Sequence, residues 1–600
     1  MKDCRRKQLQ QQRGDLPGGG GGLVPKGKPY AGGGGDKGRA SSWCTLTVVL
    51  CCAILSALTF SAFRLFGVSF HPVLVTTWQQ APTLNSISAA SGNAADLRHL
   101  LGHHFLSPPL HIRLAVSSPD LLLLFVNHHP SQNSLIASST ASADEAFPHL
   151  RCLYFPPSSS SSRSNLSLRP ISADLNQGIL RCPLQPHGFL VSVGGVDGEI
   201  AAPPVLPRPW DSLAYESLLD GRDNSTIVFA KGLNLRPGRL SDPSRYECVF
   251  GWDFARPRFL ITSNALSAAQ EIVRCRTPLS VLRRHSAAAA EKRPVMVSVK
   301  DRARGVPHIL PSVARPVLIP RDGGEQEGKH QMCVCTMLRN QARFLTEWIT
   351  YHGRIGVGRW FIYDNNSDDA IEETLRGMPE YNVTRHAWPW VKAQEAGFAH
   401  CALRARASCQ WVAFIDVDEF LYLPSPALSL QEVLSNYTTS FPQIAELRTA
   451  CHTFGPSGHR AAPPEGVTVG YTCRMSAPER HKSIVRPEAL STSLINVVHH
   501  FHLKEGFRYV NMDRATMVIN HYKYQAWEVF KEKFYRRVAT YVADWQDEEN
   551  AGSKDRAPGL GTKPVEPPDW PSRFCEVKDP GLRNRVLRIF ADPSTGQLPW

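Results

Sequence analysis

No pair of cysteines in this 600-residue chain has the two-residue gap of a zinc site. Cys333-Val334-Cys335 comes nearest, and no second pair follows it, which argues against a structural zinc module. Also lacking are the further His and Asp ligands that a two-metal phosphodiester hydrolase needs, so that class is set aside. Charge, Gly and Pro are all absent from residues 43–63. At about 1.5 Å rise per residue this stretch is long enough to cross a hydrocarbon core of about 30 Å. A cleaved signal peptide would have a shorter apolar core, about 7–15 residues, and a much shorter leader. Basic residues are missing between Arg64 and Arg98, whereas Lys2, Arg5, Arg6, Lys7, Arg13, Lys26, Lys28, Lys37 and Arg39 precede the span. The positive-inside bias then puts the N-terminus in the cytosol and the bulk in a lumen or outside the cell. The expectation is a single-pass type II membrane protein.

What is present fits that topology. Residues 1–41 are polar and Gly-rich, read as a disordered cytosolic arm. Part of the formal charge of +14 belongs to this arm, where a solvated, topology-setting role is preferred to a nucleic-acid partner. Eleven of the fifteen cysteines lie beyond the span; an oxidising lumen favours pairing them. Eleven is odd, so one stays free or pairs between chains, which leaves room for a homo-oligomer. Asn-x-Ser/Thr sequons stand at Asn165, Asn224, Asn365, Asn382 and Asn436. Residues 64–110 read as a stem. Residues 111–315 carry short apolar runs between Pro, Gly and Ser clusters, the pattern of a β-rich lumenal domain that serves packing or carbohydrate binding.

From residue 331 to 545 the periodicity becomes strand alternating with helix: strands at 332–337, 360–363, 381–388 and 411–417, helices at 341–353, 369–376 and 394–407. This is an α/β pattern, an open, mostly parallel sheet with helices on both faces. Residues 546–600 read as a C-terminal extension. The most informative stretch is Trp411-Val412-Ala413-Phe414-Ile415-Asp416-Val417-Asp418-Glu419-Phe420. As a strand it projects Asp416 and Asp418 from one face, since side chains alternate. Two such oxygens at a strand's carboxyl end suit Mn²⁺ or Mg²⁺, with positions left for water and a diphosphate. Ligands in open α/β sheets lie outside that edge. Thr336, Arg339 and Asn340 follow the first strand there, and Asp364 ends the second, where it would accept hydrogen bonds from a base or ribose. Asn366 and Ser367 also read as a helix cap.

The segments 333–341, 347–352, 360–369 and 414–420, in that order, resemble glycosyltransferase family 92. The resemblance covers about residues 331–545 and implies a GT-A fold, a nucleotide-sugar donor, a divalent metal and inversion at the anomeric carbon. The family's plant galactan synthases make UDP-galactose the favoured UDP-sugar, with a glycan or cell-wall polysaccharide as acceptor. It further implies Asp416 and Asp418 as metal ligands, with a His from His499 or His500 as a third. These two point to opposite faces of a strand, so at most one ligates. Lys482 matches a basic position that meets the diphosphate, and His521 and Tyr522 match a His-Tyr element suited to the acceptor. Inversion needs a general base; Glu479, Glu505 and Asp513 are candidates, and Glu505 is favoured for following the His cluster. An inactive, membrane-anchored carbohydrate-binding scaffold is the alternative, and the intact acids count against it.

Overall fold

The computed structural model describes residues 111–127, 150–157, 165–174, 178–319 with short interruptions, 328–541 and 565–600. The arm, the apolar segment 43–63 and the stem lie outside these residues. No helix among the described residues is long and apolar enough to cross a membrane.

Residues 111–319 are built almost wholly from antiparallel strands. The hairpin of His111–Ser117 and Leu122–Asn127 continues through Ile179–Cys182 into a five-stranded sheet. A three-stranded sheet centred on Arg151–Phe155 packs on it through Leu124, Tyr154, Leu180 and Val191. The Cys152–Cys182 disulfide ties the two sheets together. A larger sheet holds Leu213–Asp220, Ser225–Lys231, Tyr246–Gly251 and Ile272–Arg276, with a Cys248–Cys275 bridge.

The α/β part begins with β1 (His330–Leu338), α1 (Ala342–Ile355), β2 (Arg359–Asp364), α2 (Ile371–Arg376), β3 (Val383–Ala387), α3 (Gln394–Ala405) and β4 (Cys409–Phe414). These strands lie in the order β3-β2-β1-β4, all parallel. There follow β5 (Glu419–Tyr422), α4 (Leu430–Thr439), β6 (Ile444–Thr453), β7 (Arg480–Val485), β8 (Arg508–Asn511), β9 (Val518–His521) and α5 (Trp527–Tyr541). This second half corrects the expectation of a mostly parallel sheet. β7 runs antiparallel to both β4 and β6, β5 antiparallel to β9, while β8 and β9 lie parallel to β6. The sheet is mixed because the chain after β5 returns through long loops, as between β6 and β7, as well as through a helix.

Helices cover both faces. α1 buries Leu345, Trp348 and Ile349 against Val334 and Leu338 of β1, and α4 adds Leu430 and Leu434. α1 ends at Gly356, whose φ of 111° is the left-handed conformation a helix stop favours in glycine. α4 starts with a capping box between Ser429 and Glu432. Two bonds fasten α1 to β5: Trp348 Nε1 donates to the Glu419 carbonyl at 2.9 Å and Tyr351 Oη to the Leu421 carbonyl at 2.7 Å.

The opposite face joins the two parts of the molecule. Phe361, Tyr363 and Phe398 share one core with Phe125, Tyr215 and Phe229 of the β-rich part. Trp390 stacks on Phe125 and Trp210 at 5.3 and 5.1 Å. On this side Cys333 bridges to Cys409 and Cys335 to Cys401. Residues 565–600 also belong to the body. Cys575 bonds Cys473, Trp570 is buried among Tyr524, Trp527 and Phe530, and α6 (Gly581–Phe590) places Leu582 and Val586 in the main core. Ten of the eleven cysteines beyond the apolar segment are therefore paired, and Cys451 remains a buried thiol.

Candidate active site

β4 stops at Phe414, so Asp416 and Asp418 occupy the turn joining β4 to β5 and do not project from a strand face as the alternation predicts. Glu419 opens β5. Its backbone N–H donates to the Asp416 carbonyl at 3.0 Å, and its Oε2 accepts from the Asp416 N–H at 3.0 Å. Because β1 and β4 run together, the turn lies at the carboxyl edge of the parallel strands.

Four cationic or imidazole side chains converge on this turn. Lys482 Nζ, from β7, lies 2.7 Å from Glu419 Oε1, 3.2 Å from Asp416 Oδ2 and 2.6 Å from His499 Nε2. Lys533, from α5, pairs with Asp418 Oδ2. His521 Nε2 is 3.4 Å from that same oxygen, and its Nδ1 is 3.7 Å from Glu419 Oε1. His499 Nδ1 contacts the Phe414 carbonyl at 2.9 Å. Burial opposes ionisation of Asp416, but Lys482 and His499 outweigh it and bring its pKa down to about 2. Burial likewise opposes Asp418, and Lys533 and His521 hold it well below the usual range. For Glu419 burial wins, with repulsion from both aspartates, and despite Lys482 its pKa rises to about 8. Burial pulls His499 down to about 3 and His521 to about 4, so both imidazoles are neutral at pH 7.

Access separates the acids. The side chain of Asp416 is 33% exposed and that of Asp418 13%, whereas Glu419 is fully covered. Glu419, Cys451 and His521 bring their ligand atoms within 4.8 Å of one another. Two reachable carboxylates beside a neutral imidazole form a donor set that fits a hard divalent cation. Such an ion would compete with the two lysines for the same oxygens. A cavity of about 460 Å³, lined by Tyr422, His452, Arg474 and Arg514, opens at the other end of β5 and contains none of these acids.

The other nominated residues divide. Lys482, His499 and His521 join the acids. His500 does not: its ring contacts Ser483 Oγ at 2.8 Å and Glu446 Oε1 at 3.1 Å, and Ser483 follows Lys482 on β7, so it points to the other face. Val498, at a φ of 59°, turns the chain between Val497 and His500, which sets His499 in a hairpin turn. Glu505 is exposed on a turn beside Lys504, which donates to the Glu488 carbonyl, and Glu488 pairs with Lys329 just before β1. That is the amino edge of the parallel strands, opposite the acids. Tyr522 is 1% exposed and packs on Phe420 and Phe454, a core residue and not an acceptor platform. Thr336 is completely buried within β1, which removes it from donor contact.

Arg339 reaches Asp120 of the β-rich part at 2.8 Å. Asn340 shapes a turn, donating its N–H to Ser367 Oγ at 3.0 Å and accepting the Asp368 N–H at 2.9 Å. Asp364 is fully buried: Oδ1 accepts the Ser367 N–H at 2.9 Å, and Oδ2 takes Arg385 Nε at 2.9 Å and Nη2 at 2.6 Å.

Lys533 escapes sequence reading, and Glu479 is among its candidate bases but ranks behind Glu505 there. Lys533 falls three residues after buried Phe530 and one before Phe534, a helical spacing that turns it inward. Glu479 immediately precedes β7, which runs antiparallel to β4, so it shares the edge with the acids. It accepts from Thr453 Oγ1 at 2.9 Å and pairs with Lys523 at 2.8 Å, and it is 41% exposed. Against burial, Lys523 brings its pKa down to about 2.

Residues 328–553 match the family model described as glycosyltransferase family 92. A glycosyltransferase family 92 protein of Oryza sativa subsp. japonica is 55% identical over 557 residues, 91% of each chain. One from Ricinus communis is 51% identical over 568 residues, 93% of this chain and 97% of its own. Among solved structures, a mannosyltransferase of Pyrobaculum calidifontis in complex with GDP-Man and Mn²⁺ covers 39% of this chain and 68% of its own. Its identity is 10% and its TM-score 0.21, a likeness too slight to build on. With full-length relatives at this identity, the chain belongs to glycosyltransferase family 92 and is a glycosyltransferase.

Proposed function

We propose that this transferase has a GT-A fold and moves a sugar from a UDP-sugar, UDP-galactose favoured, to a glycan or cell-wall polysaccharide with inversion, as a type II Golgi membrane protein. The observation that carries the reading is the Asp416–Asp418 turn, set at the carboxyl edge of the parallel strands among Lys482, His499 and His521. A bound Mn²⁺ or Mg²⁺ supplies the positive charge that a departing nucleoside diphosphate needs. Asp416, Asp418 and the neutral His521 would hold that ion. Lys482 stays protonated: burial pulls it down, but Asp416 and Glu419 outweigh burial and keep it above its ordinary range. It stands ready as a fixed charge towards the same diphosphate. Glu479, on the acid edge and partly exposed, replaces Glu505 as the general base, a role that requires the acceptor to loosen its pairing with Lys523, since that pairing lowers its basicity.

The test is transfer and donor hydrolysis by the full chain with UDP-galactose and other UDP-sugars in Mn²⁺, alongside Asp416→Asn and Asp418→Asn. Activity in the wild type that either folded variant loses supports the reading. Full activity in the variants, or after exhaustive chelation, overturns it. The scaffold alternative draws on the two lysines that already neutralise the acids. It gains if every donor is left unbound.

A further inference from the structure

The β-rich part reaches directly beneath the loop that follows β2. Arg181 stands on Ile179–Cys182, a strand paired on both sides and ending in the disulfide to Cys152. Its side chain is 2% exposed and its Nε donates to Asn366 Oδ1 at 2.6 Å. Its Nη1 donates to Ser172 Oγ at 3.3 Å, which fixes the guanidinium plane. Asn366 is 3% exposed, lies in the left-handed region at φ 62°, and donates its own Nδ2 to the Pro389 carbonyl at 3.1 Å. Asparagine tolerates that conformation better than other non-glycine residues, and its side-chain bonds hold it there. Asp174, on the neighbouring strand, lies 4.0 Å from Arg385, the same arginine that grips Asp364. The loop from Asp364 to Asp368 is thus held from below by the β-rich part.

We infer that the β-rich part is a working component of the transferase, with Arg181 a positioning residue that fixes the Asp364–Asp368 loop for the nucleotide of the donor. The loop follows β2 at the same carboxyl edge as Asp416 and Asp418, where ligands of open α/β sheets lie, and the inference rests on the donor reading proposed above. Its physical basis is that a buried, charge-assisted hydrogen bond to a planar guanidinium fixes both distance and direction. A loop freed from it must be re-ordered each time nucleotide binds.

The experiment is calorimetric titration of the full chain with UDP in Mn²⁺, with amide exchange of the peptide covering residues 364–368 followed in parallel. Arg181→Gln is expected to weaken UDP binding about tenfold, the equivalent of one lost hydrogen bond to a charged group. It should also speed exchange in the loop and raise KM with kcat unchanged. Arg181→Lys should fall between the two. Asn366→Ala should match Arg181→Gln, and the double variant should be no worse than either, which keeps the test open if one variant misfolds. Equal UDP affinity and equal loop exchange in a folded Arg181 or Asn366 variant overturn the inference alone. Failure of the wild-type chain to bind UDP overturns the donor reading, and this inference with it.

Discussion

Two parallel strands of one sheet lead into acids, yet the acids are held differently. After β2, Asp364 is sealed from solvent and gripped by Arg385 and a loop N–H, so its oxygens are committed. After β4, Asp416 and Asp418 keep partial exposure and are neutralised by lysines. Arginine offers a rigid planar fork, lysine a mobile point charge on a flexible stem. A carboxylate held by arginine is part of the frame. One held by lysine can exchange its partner for another cation.

The strongest way to break that contrast is to neutralise each acid in turn. Asp416→Asn or Asp418→Asn should lower transfer by about 10³-fold or more, with the thermal midpoint near that of the wild type; comparable kcat in a folded variant would refute the exchangeable role. Asp364→Asn should do the reverse. Arg385 keeps Glu372 and Asp174 but loses its fully buried carboxylate, which costs about 2 kcal/mol of stability, read as a lower melting midpoint, while the folded fraction keeps its kcat. Smaller in effect, Lys533→Met removes one competitor for Asp418 and should tighten Mn²⁺ binding about fivefold by calorimetry; weaker binding would assign Lys533 to the metal-bound state instead.

The smallest expected effect lies behind the frame, at Glu216, whose Oε1 accepts from Trp390 Nε1 at 3.2 Å. Burial raises its pKa from 4.5 to about 7, against the pull of that bond. Between those values the folded state holds a proton the unfolded state has released, so stability falls as pH rises from about 4.5 to 7. Glu216→Gln should therefore gain a few degrees over the wild type at pH 8 relative to pH 5, by thermal scan. An identical pH dependence in both chains would show that Glu216 ionises freely.

The first half of the α/β part is legible in the sequence because each strand is a dense apolar run and each helix carries a 3.6-residue stripe, as with Leu345, Trp348 and Ile349. The end of β4 is not. Ile415 and Val417 continue the alternation, but Glu419 folds back on the Asp416 N–H and closes a turn, a tertiary choice no local pattern encodes. The later strands are short and enter the sheet in both directions, so periodicity gives neither order nor orientation. At the site, Asp416, Asp418 and Lys482 are readable as charges next to an apolar strand. The fate of Asp364 depends on Arg385, and that of Tyr522 on Phe420 and Phe454, partners distant in sequence. Glu505 was favoured by nearness along the chain to the His cluster, whereas the direction of β7 decides which carboxylate shares an edge with the acids.

Trp390 carries a consequence for anyone recombining relatives of this enzyme. It is sandwiched between Phe125 and Trp210, both contributed from outside the α/β half. A chimaera spliced near residue 330 would inherit one slice of that sandwich from each parent. Unless all three rings travel together, the hybrid should open a void at the seam and lose cohesion there before its chemistry is ever tested.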